Sequence, residues 1–216
     1  MPTNRERLPR TPLALAVLNL LAERPMHPYE MKIMMAERGH SRVIRLKGAS
    51  VYDTVERLER LGFIRSLETS REGRRPERTV YDITEAGRDE LRAWMRDLLS
   101  MPVPEYPQFA AALAFMVGLQ DRDEIVSLLA TRTVALEAEI AAGDVLLRTS
   151  VEDAEVPRIF VVEEEYGQTM RRAELEWVRQ LIQQLKHGDL WPDIEALKAA
   201  MAEAQAIHSK GGEEPT

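Results

Sequence analysis

Cysteine is missing from all 216 residues, which rules out disulfides and thiolate-bound metal as supports for the fold. Long apolar runs are missing too. The stretch from Leu13 to Leu21 is too short to span a bilayer and lacks a cleavage pattern, and no other window is longer and as apolar. The expectation is a soluble, cytoplasmic protein with no membrane partner. The four histidines, His27, His40, His187 and His208, are scattered without ligand spacing, so no metal or other cofactor is expected. Neither a glycine-rich phosphate loop nor a nucleophile paired with histidine is visible, which argues against catalysis. Glu163, Glu164 and Glu165 are adjacent, so on a helix they fan around the axis as a solvated face and do not converge on a substrate. No internal repeat is present.

Charge is present but unevenly placed. The net charge of −7 speaks against a polyanionic partner at first. Residues 1–100, however, carry 19 Lys and Arg against 15 Asp and Glu, a balance of +4. Residues 101–216 carry 10 against 21, a balance of −11. A phosphate responds to the field within about a Debye length, ~8–10 Å, so a basic module can work beside an acidic one. Opposite halves suggest two modules with separate roles.

The apolar pattern gives the elements. Thr11 and Pro12 cap and open a helix through Leu13, Ala16, Val17, Leu20 and Leu21, which Pro25 ends. A second helix is predicted from about Pro28 to Arg38, with His27 opening it and Gly39 stopping it; a third runs from about Gly48 to Leu61, with Val51, Val55, Leu58 and Leu61 facing inward. The period then changes to that of two strands, residues 63–68 and 79–83, flanking the polar turn Arg71-Glu72-Gly73-Arg74-Arg75-Pro76. Thr84 caps a helix carrying Leu91, Trp94, Met95 and Leu98. Three helices, a basic hairpin and a further helix spell a winged helix-turn-helix. The prolines at 102, 104 and 107 mark a boundary. Beyond it Phe109, Leu113, Met116 and Val117 form one stripe, and Asp121-Arg122-Asp123-Glu124 opens a long helix. Another helix is expected from Pro157, with one stripe through Val162, Tyr166, Met170, Ala173, Trp177 and Leu181 and a second through Phe160, Val178, Ile182 and Leu185. Two stripes need two covering surfaces, and a partner subunit is the simplest second one.

The fold expected is therefore mostly α with a β wing: a flexible arm over 1–10, a winged helix-turn-helix domain over 11–100, an all-helical dimerisation domain over 104–207 and a disordered tail over 208–216. Lys47, Ser50, Tyr52, Asp53, Thr54 and Arg57 occupy the start and outward side of the third helix, the end that enters a major groove in such folds. Ser50 could instead cap the helix. Arg71, Arg74, Arg75 and Arg78 crowd the hairpin tip, where phosphates flanking the groove would lie.

Four segments then resemble one family. Pro25-Met26-His27-Pro28-Tyr29-Glu30-Met31, Gly48-Ala49-Ser50-Val51-Tyr52, Arg57 to Ile64, and Tyr81-Asp82-Ile83-Thr84-Glu85-Ala86-Gly87 look like the N-terminal domain of PadR-family regulators. The acidic remainder, with Glu174-Leu175-Glu176-Trp177, resembles the subfamily that has a long C-terminal dimerisation module. The resemblance implies a homodimeric repressor on a pseudo-palindromic operator of double-stranded DNA. It places Tyr29 near phosphates, Ser50 and Tyr52 toward DNA, and Arg74 and Arg75 in the wing. It also implies an effector of small hydrophobic or phenolic kind. Two departures stand out: Asp53 where many members have proline, and Pro28 where many have glycine. Trp177 reads as dimer packing or, with Trp94 and Phe109, as a wall of an effector cavity; Tyr166, Met170 and Leu181 share its stripe. The other readings are a winged-helix protein-interaction module and an architectural DNA binder without effector control.

Overall fold

The computed structural model describes residues 10–44, 50–70, 78–153 and 155–188, with 190–191, 196, 199–200 and 202–203 beyond them. The chain divides into two compact units, residues 1–105 and 106–216.

In the first unit, α1 (Pro12–Glu23) starts as its sequence requires, with Thr11 Oγ1 accepting from the Ala14 N–H at 3.2 Å and Pro12 at the first position. Its buried residues include Ala14 and Leu18 as well as the expected face, so α1 is enclosed on nearly every side. One apolar stripe is what a surface helix shows; Ala14 and Leu18 add a second because α2, α3, β2 and α4 all pack around this helix. Helix α2 (Pro28–Glu37) faces inward through Met31 and Met35, and α3 (Ser50–Arg60) through Val51, Thr54, Val55 and Leu58.

Strands β1 (Ile64–Ser70) and β2 (Arg78–Ile83) pair antiparallel from Ile64 opposite Ile83 to Ser70 opposite Arg78, with a bulge between Ser66 and Glu68. Both strands run further toward the turn than the alternation indicated. A bridge that pattern alone does not reveal joins Met26 to Tyr81 through two 3.0 Å backbone hydrogen bonds. It pins the α1–α2 connection to the hairpin. Helix α4 (Glu85–Ser100) begins at Thr84, whose Oγ1 accepts from the Gly87 N–H at 3.1 Å and donates to the Gly62 carbonyl at 2.7 Å. Gly87 is required here because a Cβ would lie 2.1 Å from the Phe63 carbonyl oxygen. Arg10 straps onto α4, bonding Glu90 at 3.1 Å and Asp97 at 2.7 Å, with its guanidinium 5.8 Å over Trp94. Residues 1–9 of the expected arm and 204–216, which include the expected tail, lie outside the described residues.

The second unit holds α5 (Gln108–Phe115), a 3-10 turn (Met116–Leu119), α6 (Arg122–Arg148) and α7 (Val162–His187). Asp121 Oδ1 caps α6 by accepting from the Asp123 and Glu124 N–H groups at 2.9 and 3.0 Å. Helices α6 and α7 are antiparallel, since Arg132 bonds Glu174 while Asp144 meets Gln168 and Arg172. Helix α7 starts five residues later than expected, after a 3-10 turn over Arg158–Phe160.

The buried face of α7 runs Glu164, Gln168, Leu175, Val178, Leu181, Ile182 and Leu185, which from Leu175 onward follows the three- and four-residue spacing of a coiled-coil seam. It differs from the expected pattern at its N-terminal end. Glu164, expected on a solvated face, is 5% exposed and accepts from Arg171 Nη1 at 2.8 Å. Gln168 Nε2 donates to the Ile140 carbonyl and to Asp144 Oδ1, both at 2.7 Å. This polar knot sits over Gly143, where a Cβ would come within 2.6 Å of Gln168 and Glu164. Polar residues follow the seam because each finds a partner in it.

Candidate nucleic-acid interface

The N-terminal ends of α2 and α3 meet through one imidazole. His27 caps α2, its Nδ1 accepting from the Tyr29 N–H at 3.1 Å, so that nitrogen is unprotonated in this arrangement. The same ring stands edge-on to Tyr52 of α3, 6.4 Å between centroids and 75° between planes. The result is two tyrosines presented from two helix starts, Tyr29 56% and Tyr52 43% exposed. Ser50 begins α3, and its carbonyl accepts from Thr54 Oγ1 at 2.6 Å. Helix starts carry unpaired N–H groups and the positive end of the dipole, so anionic oxygen is favoured there.

The expected site residues divide clearly. Tyr29, Ser50 and Tyr52 lie at these two helix starts, and Asp53 is exposed beside them. Thr54 does not face outward: it is 4% exposed, with its hydroxyl spent on the Ser50 carbonyl. At helical spacing Thr54 falls beside Val51, Val55 and Leu58 on the core side of α3, which is why it turns away from the expected outward face. Arg57 is half-buried, its Nε enclosed with no hydrogen-bond partner among the described residues. Lys47, Arg71, Arg74 and Arg75 lie outside the described residues, as does the side chain of Arg78, whose backbone pairs with Ser70. In the sequence His27 only opens α2; its link to Tyr52 is tertiary and leaves no local signal.

Nearby charges are largely paired within the unit. Arg38 holds Glu23 at 2.6 Å, and this hydrogen bond keeps the Glu23 carboxyl below the usual carboxylate range. Arg24 binds Glu30 and lowers its carboxyl likewise. Tyr81 is pushed up by burial first and by Glu59 and Glu56 second, so its phenol stays neutral.

The aromatic group expected at a dimer or effector surface separates. Trp94 is 3% exposed and belongs to the core of the first unit, with Leu91 of the same helix. Its ring is spent there. Leu181 is 5% exposed in the core of the second unit with Ile125, Leu129, Val178, Ile182 and Leu185. The seam spacing takes it inward. Phe109 and Trp177 do meet, edge to face at 6.4 Å, and the Arg132 guanidinium lies 3.6 Å over the Phe109 ring. Tyr166, Met170 and Trp177 are exposed along one side of α7. Among the described residues no group of three His, Asp or Glu is placed to hold a metal, and no helix is long and apolar enough to cross a membrane.

Residues 17–93 match the model of the transcriptional regulator PadR-like family. The matched segment lies within the first unit and resembles the PadR-like family of transcriptional regulators. Similar solved structures agree on the fold. Bacillus subtilis PadR in complex with operator DNA is 18% identical, with 80% of this chain and 98% of that one covered and a TM-score of 0.62. The complex of Bacillus subtilis PadR with p-coumaric acid gives 18%, 81%, 98% and 0.60. The Vibrio cholerae virulence activator AphA gives 16%, 81%, 98% and 0.60. A comparison with curated proteins found no match. The match likens residues 17–93 to transcriptional regulators, and the solved structures share the fold of a helical unit with a β wing.

Proposed function

We propose that this PadR-like protein is a sequence-specific, homodimeric repressor that reads a pseudo-palindromic operator and is released by a small effector. The observation that carries the DNA reading is the pair of exposed tyrosines at the starts of α2 and α3, joined by His27. Tyr29 and the helix starts suit phosphate oxygens, while Ser50, Tyr52 and Asp53 occupy the groove-entering end. Lys47, Arg57 and the hairpin arginines 71, 74, 75 and 78 would flank them on phosphates. The operator complex of Bacillus subtilis PadR supports this reading by likeness of fold.

Residues 11–100 then serve as the DNA-binding domain and 104–207 as the dimerisation domain. Tyr166, Met170, Ala173 and Trp177 support the second role, because they form an exposed apolar stripe at four-three-four spacing opposite the seam that α7 gives to α6. Pairing through it fixes the distance between two recognition helices, with half-sites about 10 bp apart or a multiple of that. The acidic balance of residues 101–216 repels DNA and leaves the basic half to face it.

Gel shifts and footprints on the DNA upstream of the gene, at two salt concentrations, test the proposal. A protected palindromic site is expected. Replacing Arg74 and Arg75 together by Ala should weaken binding to all sequences and flatten the salt slope by about 0.9 per lost phosphate contact. Equal affinity for random DNA would favour an architectural binder, and salt-independent binding a protein-interaction module. A reporter gene separates repression from activation: output should rise when the protein is deleted.

A further inference from the structure

The second unit contains a half-open apolar groove of about 430 Å³ between α5, the turn over Met116–Leu119 and the start of α6, with Phe115 and Leu128 exposed at its edge. Phe109, Leu113, Phe115, Met116, Leu128 and Leu129 are among its lining residues, and its other side chains are also apolar except one, Arg132. A volume of this size lies in the range of small-ligand sites, ~300–1,000 Å³. Arg132 reaches Glu174 of α7 with Nε and Nη2, at 2.6 and 2.5 Å, and stacks on Phe109. Its Nη1 makes no hydrogen bond among the described residues.

From this we infer that the groove binds an amphipathic organic anion, a saturated hydrocarbon tail carrying one carboxylate, with Arg132 as the head-group partner. A flat guanidinium recognises a carboxylate through paired N–H donors. No lining side chain is a strong acceptor, so a phenol hydroxyl buried at the apolar end away from Arg132 would find none for its proton. A saturated tail has no such cost. Occupancy also has a route outward. A carboxylate on Arg132 competes with Glu174, the tie between α6 and α7, and shifts Phe109 against Trp177 on the exposed stripe. The regulatory consequence rests on the repressor reading; the binding does not.

Sodium decanoate below its micelle concentration is the probe, followed by calorimetry and by tryptophan fluorescence, in which Trp177 and Trp191 of the second unit report. Saturable binding is expected, with decanol and decyltrimethylammonium weaker by about tenfold or more, as loss of a charged hydrogen-bonding partner implies. Arg132→Gln should erase the preference for the anion. Should that variant fail to fold, Ala112→Glu keeps Arg132 in place and sets a carboxylate on the lining, which repels an anionic head group; it should abolish decanoate binding. Equal affinity for decanoate and decyltrimethylammonium, unchanged decanoate binding by Ala112→Glu, or tighter binding of p-coumarate would overturn the inference. So would binding that vanishes as the protein self-associates, because a second copy then fills the groove. Gel shifts without decanoate report on the DNA reading alone, so the two failures are separable.

Discussion

Replacing Gly87 by Ala should destabilise the first unit, although the same change in an ordinary helix stabilises it. A solvent-facing helical glycine gains about 0.5–1 kcal/mol on becoming alanine. At Gly87 the new methyl would lie 2.1 Å from the Phe63 carbonyl oxygen and 2.8 Å from Ile83 Cγ1, both in the connection that anchors α4 to the hairpin. Backbone cannot swing aside as a side-chain tip can, so α4 must move away from Phe63. That movement strains the Thr84 N–H bond to the Phe63 carbonyl, 3.0 Å, and the Thr84 cap on Gly87, 3.1 Å. Overpacking costs about 1–3 kcal/mol and a lost cap about 1, against the propensity gain of about 1. The net expectation is a loss of about 1–3 kcal/mol, read from urea denaturation by circular dichroism. Gly167→Ala is the internal control: its Cβ would meet Arg171 at an ordinary 3.5 Å, so this variant should gain stability. If Gly87→Ala is as stable as the parent or more so, the close approach of α4 to Phe63 is wrong.

Three further outcomes follow from the same geometry. Glu23→Gln should cost no more than about 1 kcal/mol at pH 7, because the Arg38 pair is well exposed. The Glu23 carboxyl is depressed in the folded state, so its contribution is present above the ordinary carboxylate value and fades as pH falls through the folded one. The difference between parent and variant in acid denaturation should close in that direction. Thr54→Val should leave DNA affinity within about twofold because Thr54 is buried, whereas Tyr52→Ala should weaken it about tenfold, the value of one good base or phosphate contact. Gel-shift titration compares them. Leu181→Ala should lower stability by about 2–5 kcal/mol while the dimer, measured by sedimentation, persists at protein concentrations where it is folded. Trp177→Ala should do the reverse, since its half-exposed ring sits on the stripe proposed to pair the subunits.

The elements themselves were legible in the residues because their signals are local. Thr11-Pro12, Thr84 and Asp121 each cap a helix through an atom two or three residues away, and such spacing survives in any context. The change of period at residue 63 announced the hairpin for the same reason. The candidate site was half legible: Tyr52 could be named from its place at the start of α3, Tyr29 only through the resemblance, and the His27 that joins them not at all. What only the folded chain decided are the choices between faces. Thr54 turned inward, Leu181 joined the seam rather than the stripe, Trp94 closed a core of its own, and Glu164 was buried beside Arg171. Each of these depends on a neighbour far along the chain, and a helix of apolar and polar residues permits either outcome until that neighbour arrives. Periodicity states how many faces a helix has to cover; packing alone states with what.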